Sequence, residues 1–542
     1  MARMSKGLRC AAAVTALSAL ALTGCTGPVN EGSGEGSDSE KLVVGTTDKV
    51  VSLDPAAAYD NASMVVMTQV YPFLLSSKPG SAEPEPDMAE SAEFTSPTEY
   101  TVKLKEGLKW ANGHDLTSSD VKFSFDRMVK IADPEGPSAL LANLDSVDTP
   151  DETTVVFNLK AGNDQTWPGV LTTSAAPIVD EEVLSATEVT PDKEIVDADA
   201  FAGPYTIDSY TKNELISYKA YEDYDGILGA PKMENVDMKY YADANNLKLE
   251  VQQGNIDVAY RSLSATDVED LEKDDNVKVI KGPGGELRYI VFNFDTMPFG
   301  AKSENPDADK ALSVRQAMAH ALDREAIAEQ VYKGTYTPAY SYVPTGLPGA
   351  IEPLKEMYGD GSGGPDMAKA KSTLEDAGIK TPVSINLQYN GDHYGPSSGD
   401  EYAMVKSQLE KEGLFKVNLQ STEWVQYSEQ RTQDAYPMYQ LGWFPDYSDA
   451  DNYLSPFFAP GNFLANHYED KGVTELITEQ RVTIDEDKRA DLIGQIQTEV
   501  AKDLSTLPLL QGNSLAVAGK DVKGVQDTLD ASYKFRLAVI SK

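Results

Sequence analysis

Past its first forty residues the chain alternates short apolar runs with stretches of helical spacing. KLVVGTT (41–47) reads as a strand. In SLDPAAAYDNASMVVMTQVYPFLL (52–75), Met64, Met67, Val70, Tyr71 and Leu74 recur at the spacing of a helix face. The segment 79–86, rich in proline, breaks that pattern. Strands and turns follow in AEFTSPTEYTVKLKEGLKWANG and TVVFNLK (154–160), and between them Ser118 or Ser119 is placed to cap the helix SDVKFSFDRMVKIA. ISYKAYEDY and VDMKYYAD read as further strands, and 244–253 as a helix closed by Gly254.

After GPGG (282–285) the strand LRYIVFNFD opens a new region. The helices VRQAMAHALDREAIAEQVY and PDMAKAKSTLEDAG follow, then strand VSINLQYN, helix EYAMVKSQLEKEG and strand FKVNLQ. Helices of this length alternating with short strands predict an α/β protein. No internal repeat of fixed period is present.

The N-terminus changes the picture from a bare domain to an exported one. Arg3, Lys6 and Arg9 precede an apolar run over 11–22, too short for a membrane span of about 20 residues and suited to a secretory signal. The run ends in Leu22-Thr23-Gly24-Cys25, which resembles a bacterial lipobox. The chain has two cysteines, Cys10 and Cys25. Cleavage before Cys25 leaves that thiol alone, so no internal disulfide can form and Cys25 is the expected lipidation site. Residues 25–40 then read as a Gly/Ser/Glu-rich tether. Removing 24 of 542 residues leaves 518, and loss of three basic side chains takes the net charge from −39 to −42. Such a field disfavours nucleic acid and anionic lipid and favours solubility. No later run is long enough to span a bilayer.

Motifs for catalysis are weak. Gly395-Pro-Ser-Ser-Gly399, with His393 nearby, matches G-x-S-x-G, but a Gly/Asp/Pro loop separates Ser397 from the preceding strand, where a nucleophile elbow needs a strained strand-to-helix turn. Residues 359–364 match G-x-G-x-x-G without a preceding β-branched strand or a ribose-binding acid. The four histidines (His114, His320, His393, His467) are scattered, with no H-E-x-x-H. Asp449 and Asp451 begin like a calcium loop, but Leu454 stands where glycine is needed and Pro460 where glutamate is needed. Turn and cap roles suit them better. The expectation is no enzyme, no metal and no cofactor.

The most informative stretches are LKEGLKWANGHDLTSSDVKFSFDR (104–127), FAGPYTIDSY (201–210), FNFDTMPFG (292–300), VRQAMAHALDREAIAEQVYKGTYTPAYSYVPTGLPG (314–349) and GWFPDYSDADNYL (442–454), together with 52–75. These resemble the extracytoplasmic solute-binding proteins of peptide-type ABC importers, the oligopeptide/dipeptide/nickel-binding family 5. The resemblance implies a two-lobed, periplasmic-binding-protein-like clamp (type II) with an extra domain inserted in lobe one. Lobe one would comprise 41–80, 201–284 and 506–542, the additional domain 81–200 and lobe two 285–505. The lobes would join near 282–286 and 504–508.

The resemblance also implies that the 442–458 segment lines a cleft. Asp446 aligns with the family's partner of a peptide α-ammonium, and Trp443 and Trp424 with rings that wall side-chain pockets. Gly442, Phe444, Tyr447, Arg431, Asn61 and Tyr289 complete the expected ligand-binding set, and the 439–442 backbone could add an extended ligand as a strand. No basic residue matches the family's captors of a peptide C-terminus. The implied function is a lipid-anchored, monomeric protein on the outer face of the cytoplasmic membrane. It would capture peptides and deliver them to an ABC permease and its ATPase subunits. The alternatives are another solute (an oligosaccharide, nickel chelate or opine) or, from a different class, a hydrolase using Ser397 and His393.

Overall fold

A computed structural model describes residues 41–542 except 82, 262, 392, 396 and 533. Cys25, the signal segment and the tether lie outside the described residues. The fold is mixed α/β and is organised by three main sheets.

The first lobe is built on a seven-stranded sheet. Its order is Val277–Gly282, Ser514–Gly519, Val258–Tyr260, Leu42–Thr46, Asn235–Tyr240, Leu215–Ala220 and Tyr205–Thr211. Leu42–Thr46 sits centrally and pairs in parallel with both neighbours, consistent with its near-continuous apolar sequence. The second lobe has six strands, in the order Tyr336–Pro338, Thr506–Gly512, Leu287–Phe292, Met438–Trp443, Val383–Tyr389 and Phe415–Ser421. Every side chain of Leu287–Phe292 is buried. Pairing with Met438–Trp443 on one side and Thr506–Gly512 on the other leaves that strand no open edge, and both its faces pack into the second-lobe core.

The inserted domain carries a four-stranded antiparallel sheet, Ala89–Ser96, Glu99–Leu104, Thr154–Leu159 and Leu144–Asp151. Its strands alternate buried and exposed positions because one face is covered, largely by helix Ser118–Ile131. Thr117, not Ser118 or Ser119, caps that helix, in a reciprocal capping box with Asp120. The box satisfies two otherwise orphaned backbone donors. Arg127 on the same helix makes a bidentate pair with Asp54, both oxygens at 2.8 Å and both side chains essentially fully buried, locking the domain to the first lobe.

Two expected boundaries move. The chain rejoins the first lobe at 178–179 rather than near Phe201: Ile178 belongs to the inserted domain's core, whereas Val179, Leu184 and Ile195 pack in that of the first lobe. The second interlobe crossing falls at Asn513, not at 504–508, because Thr506–Gly512 is a fully buried strand of the second sheet. Pro508, which looks like a break, sits beside a register shift between Arg288 and Tyr289, where a strand tolerates a residue without an N–H. The two crossings run side by side. Gly512 N donates to Glu286 O at 2.9 Å, and a Cβ on Gly284 would stand 2.0 Å from Gly512 O, so only glycine fits there.

Candidate functional site

Between the lobes lies a cavity of about 280 Å³. The first lobe supplies Tyr59, Asp60, Asn61 and Met64, at the start of helix Asn61–Val70, whose N-cap is Asp60. The inserted domain adds Thr172 and Ser174, and the second lobe adds His393, Tyr394, Trp424, 441–446 and Phe463. Ser532 and Lys534, from the C-terminal segment, close the wall.

The second-lobe wall is an aromatic stack with fixed geometry. Trp424 opens helix Trp424–Arg431, capped by the Glu423 carboxylate, and the His393 ring lies flat on it at 3.7 Å. Tyr394 meets Trp424 edge-on at 5.7 Å. Its hydroxyl accepts from Gly442 N at 2.9 Å. A Cβ on Gly442 would press on Leu287 O and the Tyr394 ring, both at 3.0 Å, which accounts for glycine at the end of an otherwise bulky strand. Trp443 Nε1 donates to Asn452 Oδ1 at 2.9 Å, and the same oxygen accepts from Asp446 N at 2.9 Å. One asparagine therefore orients both the ring and the turn carrying Asp446.

Charge is concentrated at few points. Asp446 accepts from the Tyr59 hydroxyl across the lobes and from Asn452 Nδ2 at 3.1 Å. Burial pushes its carboxyl up, and these two hydrogen bonds oppose the shift. The Asp60 carboxyl is also raised, chiefly by burial; its Oδ1 caps Ser63 N, while its Oδ2 is buried without a hydrogen-bond partner. Lys534 is 8 % exposed, and burial, then the neighbouring Arg536, brings its ammonium down to about 7.

Six of the expected residues, Asp446, Trp443, Trp424, Gly442, Phe444 and Asn61, share this wall. Three do not. Tyr447 is turned into the inserted domain, where a Cβ on Gly169 would touch its ring at 3.0 Å. Arg431 is buried behind Phe463, donating to its carbonyl at 2.8 Å with the guanidinium over its ring at 4.4 Å. Tyr289 points into the second-lobe core against Phe457. In each case tertiary packing claims a side chain that the segment's position near the cleft suggested was free. The edge proposed for strand addition is also filled. Val383–Tyr389 pairs with Met438 and Tyr439, the Tyr427 hydroxyl donates to Gln440 O at 2.6 Å, and Tyr394 takes Gly442 N.

Other motifs resolve into local structure. Asp449 caps the turn Ala450–Tyr453 and forms a bidentate pair with Arg489 at 2.8 Å. Asp451 accepts from Ser455 and Gln480. The glycine run 359–364 follows helix Pro353–Met357, not a strand, and wraps Asp360, which accepts from Ser362 N and Gly364 N. Ser397 starts helix Ser398–Leu409 after a loop from Tyr389, without the geometry of an elbow. Among the described residues one group with metal-ligand potential, Asp295, Asp434 and His467, comes together. The Lys302 ammonium already pairs with both carboxylates. Sequence reasoning missed Tyr59, Asp60, Thr172, Ser174, Phe463 and Lys534. Only Asp60 left a signal, as a cap residue before a helical run.

Fold and cavity define a two-lobed binding protein with an inserted domain. Residues 83–464, more than half the chain, match the family described as bacterial extracellular solute-binding proteins, family 5, middle region. The chain belongs to that extracytoplasmic family of ABC-importer solute-binding proteins. It is 24 % identical over 523 residues to the dipeptide-binding protein of Escherichia coli K12, covering 91 % of this chain and 90 % of that protein. It is 25 % identical to the glutathione-binding protein GsiB of the same strain, covering 92 % and 94 %. Among solved structures, HbpA2 from Haemophilus parasuis superposes with a TM-score of 0.78 at 21 % identity, over 93 % of this chain and 99 % of that one. No helix among the described residues is long and apolar enough to cross a membrane.

Proposed function

We propose that this protein captures short peptides in the interlobe cavity and hands them to an ABC permease and its ATPase subunits. The observation that carries the reading is the acidic corner of the cavity. Asp446 is held by neutral donors only, and Asp60 keeps a buried oxygen with no hydrogen-bond partner beside the same space. Desolvated carboxylates without a protein cation favour an incoming cation, and an α-ammonium meets that need. The rings of Trp443, Trp424 and Phe444 offer apolar area at low rotamer cost. The names of the E. coli relatives, one binding dipeptides and one glutathione, point the same way.

Closure of the lobes on the ligand, pivoting at 283–286 and Asn513, completes the reading. Anchoring through Cys25 and action as a monomer belong to it as well. Native mass spectrometry of the protein mixed with randomised di- and tripeptides tests it: retained peptide masses are expected, and retention of a sugar or metal chelate with no peptide would contradict it. For the anchor, Cys25→Ser should abolish acyl labelling and release the protein from the membrane fraction; a labelled Cys25→Ser protein would overturn the lipobox reading.

A further inference from the structure

At the side of the cavity formed by the C-terminal segment stands Lys534. It is the only lysine or arginine among the described lining residues. More than nine-tenths of its surface is buried, and no described residue forms an ion pair with its Nζ. The carboxylates near it are engaged elsewhere. Asp530 takes Arg536 Nη1 at 2.7 Å and Ser532 N at 2.9 Å. Asp87 takes Ile227 N at 2.8 Å and the Tyr224 hydroxyl at 3.3 Å. A buried ammonium with no ion-pair partner is unfavourable, and Asp87 and Asp530 act on Lys534 only from beyond pairing distance.

We infer that Lys534 receives the free carboxylate of the bound solute, so that the cavity selects short zwitterions by both ends. The inference rests on the peptide reading above and adds to it the carboxyl-terminal partner that the sequence did not reveal. Lys534 and the acids Asp446 and Asp60 line one cavity of about 280 Å³, so the two ends of one small molecule have opposite charges to meet within it. On the cavity side Lys534 shares the wall with Ser532, Asp60, Asp446 and His393; on its other side it borders a smaller cavity with Asp87, Tyr224 and Arg536, and Asp530 lies near it. Burial, then Arg536, brings the Lys534 ammonium down to about 7, so a carboxylate that favours its charged form binds with proton uptake above that pH. Affinity for that carboxylate then falls as pH rises above about 7.

The test uses the intact protein and two equimolar dipeptide mixtures, randomised at both positions, one with free carboxyl termini and one C-terminally amidated. Retention is read by native mass spectrometry and affinity by titration calorimetry. Wild type should prefer the acids by about 30-fold or more, with acid affinity declining up to tenfold per pH unit above about 7. Lys534→Met should bring the preference close to unity, and a melting temperature at or above wild type would show that it folds. Should Lys534→Met fail to fold, the wild-type comparison of acids with amides and its pH profile remain decisive. Equal binding of acids and amides by wild type overturns the role of Lys534 and leaves the peptide reading standing. Binding of neither mixture removes the peptide reading and this inference with it.

Discussion

Within the six residues 446–451 lie three aspartates with different surroundings. Asp449 gives both oxygens to Arg489, and Asp451 is buried among Ser455, Gln480 and the more distant Arg481. Asp446, at the front of the segment, has only the Tyr59 hydroxyl and the Asn452 amide. At the back of the segment the acids thus have partners within the second lobe, while Asp446 at its front has neutral donors only. Composition alone makes the three equivalent. Their partners, drawn from helix Glu486–Asp503, helix Lys471–Val482 and the opposite lobe, separate them.

Substitution should separate them too. The largest effect is expected at Asp446→Asn, which keeps shape and removes charge. Peptide affinity should drop by about 2–5 kcal/mol in titration calorimetry, while the melting temperature of the ligand-free protein stays near wild type. Arg489→Ala should do the reverse. It strands the Asp449 carboxylate in a largely buried pair, with side chains 16 % and 19 % exposed, and should cost about 1–3 kcal/mol of stability by chemical denaturation. The wild-type preference for a free over an acetylated amino terminus should survive.

Asp451 gives a smaller, pH-dependent contrast. Burial pushes its carboxyl from 3.8 up to about 6, so the folded state binds more protons than the unfolded one across that window. Stability from this group therefore falls as pH rises from about 4 to 6, by up to about 1.4 kcal/mol per pH unit. Asp451→Asn should remove that component of the slope, leaving the same-signed contributions of Asp87 and Asp120, both also raised to about 6. The smallest effect is expected at Trp443→Phe, which loses one hydrogen bond to Asn452 and should weaken peptide binding by about 1 kcal/mol.

The alternation of apolar runs made the α/β class legible, because strand and helix periods are local properties. Leu287–Phe292 and Val383–Tyr389 fall within the stretches read as strands. The stretch read as one helix over VRQAMAHALDREAIAEQVY is two, Ala308–Ala321 and Arg324–Gln330, because Asp323 caps the second. The 504–508 boundary failed because a proline at a bulge looks the same in sequence as a proline in a linker. Arg431, Tyr289 and Tyr447 were misplaced because which face a side chain takes depends on Phe463, Phe457 and Gly169, each distant in sequence or in another layer. Lys534 was invisible for the same reason. A lone lysine in SYKFR carries no local sign that it will be buried beside residues near 60 and 446.

The most direct test of the division between Asp446 and its neighbours is a double-mutant cycle by isothermal titration. It sets wild type and Asp446→Asn against one dipeptide retained by the wild type and its N-acetylated form. Acetylation should cost the wild type about as much as the substitution does, and the two changes together should cost far less than their sum, as a direct ammonium–carboxylate contact requires. Equal binding of the free and acetylated peptides by the wild type, or strict additivity of the two changes, would contradict it.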